Sequence, residues 1–157
     1  MAMQPPTVPA PLPRTQDPMD DAFWAQCQDG RLRFQRCDHC GAWRFLPRYM
    51  CAQCGSPDFA WSPVRGTGSL YSWTITHQAL HPAFAADIPY IAALVELDEG
   101  VRMATRLLNC DRSALQLGLR VELVFQVIGD GFQLPCFQPL GTLAASKAAS
   151  WPPVGPA

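Results

Sequence analysis

The spacing C-x2-C-x10-C-x2-C formed by Cys37, Cys40, Cys51 and Cys54 constrains this chain more than any other feature of its sequence. Two residues between paired cysteines let a tight turn aim both sulfurs at one point about 2.3 Å from a metal ion. Gly41 and Gly55 follow the two pairs and supply the φ > 0 conformation that such a turn usually needs. The stretch from Gly41 to Met50 is long enough to set the second knuckle opposite the first. Four thiolates then close a tetrahedral shell that leaves no open position for a substrate. Two disulfides or a redox C-x-x-C pair are the competing assignments. A doubled, glycine-followed motif in a chain expected to stay in a reducing compartment points instead to structural Zn2+. Iron in a rubredoxin-like site uses the same knuckles, and visible absorbance with elemental analysis separates the two metals.

Outside the knuckles, Cys27, Cys110 and Cys136 stand singly, as small apolar residues often do in a β-rich core. Of the 16 prolines, six fall in residues 1–18 and three in the last six, so the ends of the chain differ from its middle. Residues 1–16 read as a disordered Pro-rich tail and 141–157 as a flexible C-terminal tail. The folding material is divided into 17–64, helix and zinc ribbon, and 65–140, a β-barrel.

Asp17-Pro18 is a helix start, with the Asp as cap, Pro at the first helical position and Asp20 and Asp21 in the first turn. Met19, Phe23 and Cys27 recur at i, i+4 and i+8 with Trp24 beside them, and Gly30 ends the pattern. Arg31 to Arg36 alternates as a strand, and Phe59 to Val64 reads as its return. Further strands are expected at Ser69–Thr76, Ile88–Leu97, Val101–Leu108, Leu119–Ile128 and Phe132–Phe137. Tyr71, Trp73 and Ile75 are expected on one face of the first, and Leu119, Val121, Leu123, Phe125 and Val127 on one face of the fourth. Asp111–Leu117 is short enough for one or two helical turns. Five strands with a small helical insert after the third follow the order of an OB-fold, whereas a β-sandwich normally wants about seven strands. The fold class expected is therefore mainly β: an N-terminal helix plus zinc ribbon, then a five-stranded OB-fold barrel.

The stretch from Phe23 to Leu140 also carries a resemblance. FWAQCQDGRLRFQRC, CGAWRFLPR, CAQCGS, VRGTGSLYSWT, IPYIAALVELDEGVRM and LGLRVELVF resemble, in order, the acyl-CoA-associated family in which a helix and rubredoxin-like zinc ribbon precede an OB-fold. The resemblance implies a non-catalytic accessory or scaffold subunit of a thiolase-like, hydratase or aldolase complex, with an acyl-CoA thioester as a possible ligand. The resemblance extends over the ribbon and barrel alone, and a fused hydratase domain, such as some relatives carry, is not expected.

The residues can be read beside that implication. Between residues 31 and 48, Arg31, Arg33, Arg36, Arg44 and Arg48 face one acid, Asp38, a local balance of +4 that zinc with four thiolates lowers to about +2. CoA has a phosphate-rich end and a thin neutral arm, so its site needs arginines at the mouth and an apolar groove behind. The residues expected to form an acyl-CoA or partner surface are Phe23, Trp24, Arg36, Arg44, Arg48, Trp73 and Tyr90. The same side chains also suit a solvated basic face and an aromatic joint between the two modules. For docking, the Phe23 and Trp24 face with Trp43 and Phe45 offers an apolar patch.

Other functions meet specific obstacles. His77, His81, Cys110 and Cys136 assemble no recognisable nucleophile, base and orienting group, and the chain lacks G-x-S-x-G and H-E-x-x-H, so the isolated chain is expected to show no turnover. Single-stranded nucleic-acid binding is the alternative use of a ribbon and an OB-fold. It needs a basic groove, yet residues 61–140 hold five Arg against seven acids and the whole chain has a net charge of -1. No run approaches the roughly 18 apolar residues of a membrane span, and the N-terminus lacks a signal-type apolar stretch. The expected location is cytoplasmic, with no membrane and no nucleic acid among the partners.

Overall fold

The computed structural model describes residues 11–13, 17–129 and 131–142; the remainder of the tails expected at 1–16 and 141–157 lies outside the described residues. Helix α1 spans Pro18–Cys27, and Asp17 caps it by accepting a 2.8 Å hydrogen bond from the Met19 N–H. The same carboxylate accepts a 2.7 Å bond from the Tyr49 hydroxyl, which ties the start of the helix to the ribbon.

Strands β1 (Arg33–Cys37), β2 (Trp43–Arg44) and β3 (Phe59–Pro63) form an antiparallel sheet with β1 in the middle. The chain then enters β4 (Thr67–Thr76), β5 (Tyr90–Leu97), β6 (Arg102–Leu107), β7 (Arg120–Ile128) and β8 (Phe132–Pro139). These close into a barrel in the order β4-β5-β6-β8-β7, antiparallel except for a parallel contact of Leu107 with Phe137. The expected ribbon and five-stranded barrel are both present, with strand ends shifted by one or two residues. The insert expected at Asp111–Leu117 contracts to a single 3-10 turn at Arg112–Ala114, and a second 3-10 turn at Pro82–Phe84 lies between β4 and β5.

Two expectations about strand faces fail for identifiable reasons. In β4 the register to β5 slips between Leu70 and Ser72, a bulge that turns Tyr71 outward while Leu70 and Trp73 both meet inward residues of β5, Val95 and Ala93. A bulge inserts one unpaired residue, so the residues on its two sides differ by three rather than two. In β7, Val121, Leu123 and Phe125 contact the core, but Val127 is 53% exposed while Gln126 and Ile128 are buried. The end of the strand has passed beyond the barrel interior, and the opposite face is the one covered there.

One continuous core joins the modules. Phe23, Cys27, Leu32 and Phe34 from helix and ribbon belong to the same buried cluster as Leu70, Val95, Leu107, Val121 and Phe137 of the barrel. Trp24 reaches across to Phe132 with ring centroids 5.7 Å apart, and Gln28 bonds the backbone N–H of Gln133 at 3.0 Å.

Candidate metal centre and adjoining surfaces

The two knuckles are built alike. The Gly41 N–H donates to the Cys37 carbonyl and the Gly55 N–H to the Cys51 carbonyl, each at 2.9 Å. Both glycines have positive φ, +73° and +74°, as the spacing requires. The result places Cys37 Sγ 3.6 Å from Cys54 Sγ and Cys40 Sγ 3.6 Å from Cys51 Sγ, with all four sulfurs within 4.8 Å of one another. A tetrahedron with bonds of about 2.3 Å has edges of about 3.8 Å, so the four positions suit one Zn2+.

Electrostatics prepare the same site. Backbone N–H groups of Cys40 and His39 point at Cys37, with help from the Arg44 guanidinium, and hold its thiol down to about 5. The N–H groups of Cys54 and Gln53 lower Cys51 in the same way. Cys54 receives the Ser56 N–H, yet burial and the three neighbouring sulfurs push it up to about 12. Four thiolates packed this closely need a cation among them, and zinc supplies the compensating charge.

Arg44 supplies a further positive charge. It is 5% exposed and donates from Nη2 to the carbonyls of Ser56 at 3.2 Å and Asp58 at 3.0 Å, which staples β2 to the second knuckle. Burial works against its charge, but the Cys37 and Cys51 sulfurs outweigh that and raise its pKa. A residue expected at the mouth of a ligand site thus also backs the metal centre.

The other residues of the expected surface do not converge on one place. Phe23 is 3% exposed and sits in the aromatic joint, with centroids 5.0 Å from Trp24, 5.6 Å from Phe45 and 6.4 Å from Trp61. Arg36 is exposed and stacks on Trp43 at 5.3 Å. Trp73 is half-buried against the barrel core, and Tyr90 lies on a different face beneath Arg106, 5.2 Å from its ring. Arg44 and Arg48 do come together. They line a cleft of about 450 Å³ between ribbon and barrel, with Trp43 and Phe45 on one side and Glu96, Val101 and Arg102 on the other. Arg102 is held by Glu96 at 2.7 Å and lies 3.6 Å over the ring of Tyr71, the residue turned outward by the bulge.

Beside the cleft, the loop 46–50 exposes Leu46, Tyr49 and Met50 at 62%, 57% and 61%. The apolar patch expected from the sequence was Phe23 and Trp24 with Trp43 and Phe45 and omitted these three, although F-L-P-R-Y-M is visibly apolar on both sides of Arg48. The structure packs Trp43 and Phe45 against the core and leaves their neighbours outside.

Two family descriptions match consecutive parts of the chain: the ChsH2 rubredoxin-like zinc ribbon domain over residues 24–60 and the ChsH2 C-terminal OB-fold domain over residues 61–126. The chain belongs to the ChsH2 ribbon and OB-fold family. It is 38% identical over 128 residues to a probable enoyl-CoA hydratase alpha subunit of Thermomonospora curvata, a match covering 81% of this chain and 40% of that protein. It therefore spans less than half the length of that relative. A DUF35 domain-containing scaffold protein of Methanocaldococcus jannaschii is 32% identical over 94 residues, 59% of this chain and 66% of its own. Among solved structures, the Ltp2-ChsH2(DUF35) aldolase contains a chain that superposes with a TM-score of 0.71 at 37% identity, covering 80% of this chain and 98% of that one. A Sulfolobus solfataricus protein of the DUF35 family shares the fold at 13% identity and a TM-score of 0.53.

In this ChsH2-type chain the thiols outside the knuckles are apolar groups. Burial pushes Cys27 and Cys136 up to about 12 and also raises Cys110. His81 accepts the Ala83 N–H on Nδ1 at 3.2 Å and caps the 3-10 turn. Among the described residues no helix is long and apolar enough to cross a membrane.

Proposed function

We propose that this chain is a non-catalytic accessory subunit that docks onto an acyl-CoA-processing enzyme, thiolase-like, hydratase or aldolase, and shields the thioester during reaction. The cleft between ribbon and barrel carries this reading. Its volume of about 450 Å³ is that of a ligand site, and it combines Arg48 and Arg102 with the apolar surfaces of Trp43, Phe45 and Val101. The CoA phosphates meet the arginines, the pantetheine arm follows the apolar wall, and the partner enzyme closes the open side. Leu46, Tyr49 and Met50 rim the same region and give that partner an apolar contact. The names of the relatives, a hydratase alpha subunit and an aldolase complex, support an enzyme partner.

The chemistry resides in the partner. Thiols held protonated by burial are poor nucleophiles, and His81 is occupied with a backbone cap. The subunit contributes by confining a thioester intermediate and raising its effective concentration. Two measurements test this together: calorimetric titration of the full chain with acyl-CoA, and identification of the untagged enzyme that copurifies with it. Arg48→Glu is expected to weaken acyl-CoA binding by roughly tenfold, the worth of one charge-assisted hydrogen bond. Leu46→Asp with Met50→Glu is expected to release the enzyme. Failure to find either acyl-CoA binding or an acyl-CoA-processing partner overturns the proposal, as does turnover by the chain alone.

A further inference from the structure

The outward face of the barrel holds a second groove, which shares no lining residue with the metal centre or the first cleft. β7 and β8 pair Leu123 with Phe137 on the inward side and Val124 with Cys136 and Ile128 with Phe132 on the other. Outward residues of a barrel normally meet water, yet Ile128 is 2% exposed and Cys136 is wholly buried. A groove beside Ile128 has a volume of about 420 Å³ and a floor of Phe84, Tyr90, Ile128 and Leu134, edged by Arg106. Arg106 is fixed in turn, paired with Asp87 at 3.0 Å and packed over Tyr90. The residues lying against this floor are Pro11, Leu12 and Pro13, of which Leu12 and Pro13 are half-buried.

We infer that Pro11–Pro13, within the proline-rich N-terminal stretch, form a strap that docks in cis on this groove and covers an apolar peptide-binding face. The chemistry of the segment suits the place. Pro11 and Pro13 have no N–H to lose to an apolar wall, and alternate prolines at 9, 11 and 13 restrict φ, so little chain entropy remains to be lost on docking. Aromatic rings beside a fixed cation form the kind of surface on which extended proline-rich segments are recognised. Three residues separate Pro13 from Asp17, the cap of α1, and so short a tether gives an effective concentration of order mM. A contact of a few residues, weak between separate molecules, is then held within one chain.

The test uses methyl-labelled full chain and a form lacking residues 1–13. Removal is expected to shift the methyl signals of Ile128 and Leu134 while leaving Leu32 of the ribbon unmoved. Leu12→Asp in the full chain is expected to reproduce the shifts, and a synthetic peptide of residues 5–13, added at roughly mM concentration to the shortened chain, is expected to reverse them. Unmoved Ile128 and Leu134 signals in both variants overturn the inference. So does a dependence of these signals on full-chain concentration, which assigns the groove to a second copy, or failure of the peptide to restore them. None of these readouts involves acyl-CoA or an enzyme, so they stand apart from the docking proposal.

Discussion

At the scale of single residues, Arg44 shows how position rather than type decides a role. A guanidinium four positions after the second cysteine of a zinc knuckle reads in sequence as one of several basic groups, because nothing in a strand of two residues tells which side faces inward. The structure buries it against the Ser56 and Asp58 carbonyls and beside two thiolates. Residues that support metal ligands from behind typically cost 10- to 100-fold in metal affinity when removed, so Arg44→Met is expected to lose zinc to a chelator with roughly that penalty. A competition titration followed by elemental analysis measures it. The pH dependence has a defined sign. Cys37 is depressed from 9.0 to about 5, so its thiolate is present at neutral pH and protons compete for it only as pH falls toward about 5 and below. Protons and zinc compete for the same four sulfurs, so zinc release is expected to increase as pH falls, with Cys54, whose thiol is raised, protonated before Cys37, whose thiol is lowered. The ligands themselves were legible because C-x2-C spacing is a statement about backbone geometry; the partner behind them was not, because burial is a property of packing.

At the scale of elements, the expected spans fell on every barrel strand to within two residues at either end. What alternation missed was the bulge at Tyr71, since one extra residue leaves composition unchanged and reverses the faces on one side of it. The two-residue strand β2 was likewise too short to carry a period. Gly68 belongs to β4 although that strand was expected to begin only at Ser69, and its close contact was not legible either: a Cβ there would lie 2.5 Å from the Glu96 carbonyl oxygen and 3.0 Å from Leu97 Cα. Backbone cannot step aside as a flexible side chain can, so Gly68→Ala is expected to destabilise the barrel by about 1–3 kcal/mol, read from denaturant unfolding. The same end of the barrel is closed by Asp98, which accepts two bonds from Arg120, at 2.9 and 3.0 Å, and one from the Thr67 hydroxyl. These partners, Arg120 first, hold its carboxyl at about 2 against an ordinary 3.8. Because the folded value is the lower one, Asp98 stabilises the fold above about pH 4 and this contribution is lost as pH falls from there toward 2. Asp98→Asn is expected to lower stability at neutral pH and to flatten that part of the acid-unfolding curve.

At the scale of the whole molecule, the question is how far ribbon and barrel depend on each other. The ribbon strands run only from Arg33 to Pro63, and a unit below about 40 residues rarely holds together without a metal or disulfides. The barrel closes on itself and has its own buried set in Leu70, Val95, Leu107, Val121 and Phe137. Between them, Phe23 and Trp24 of α1 join the ribbon's aromatic residues to Phe132 of the barrel, so the helix belongs to both. Removal of zinc is therefore expected to release the ribbon and loosen the helix without opening the barrel. Trp24, Trp43 and Trp61 would become hydrated and their fluorescence would move to longer wavelength, while amide protons of β7 and β8 would keep their protection from exchange. Restoring zinc should reverse both changes. Simultaneous loss of protection in β7 and β8 would instead make helix, ribbon and barrel one cooperative unit, with the shared core at Phe23 and Leu32 as the reason.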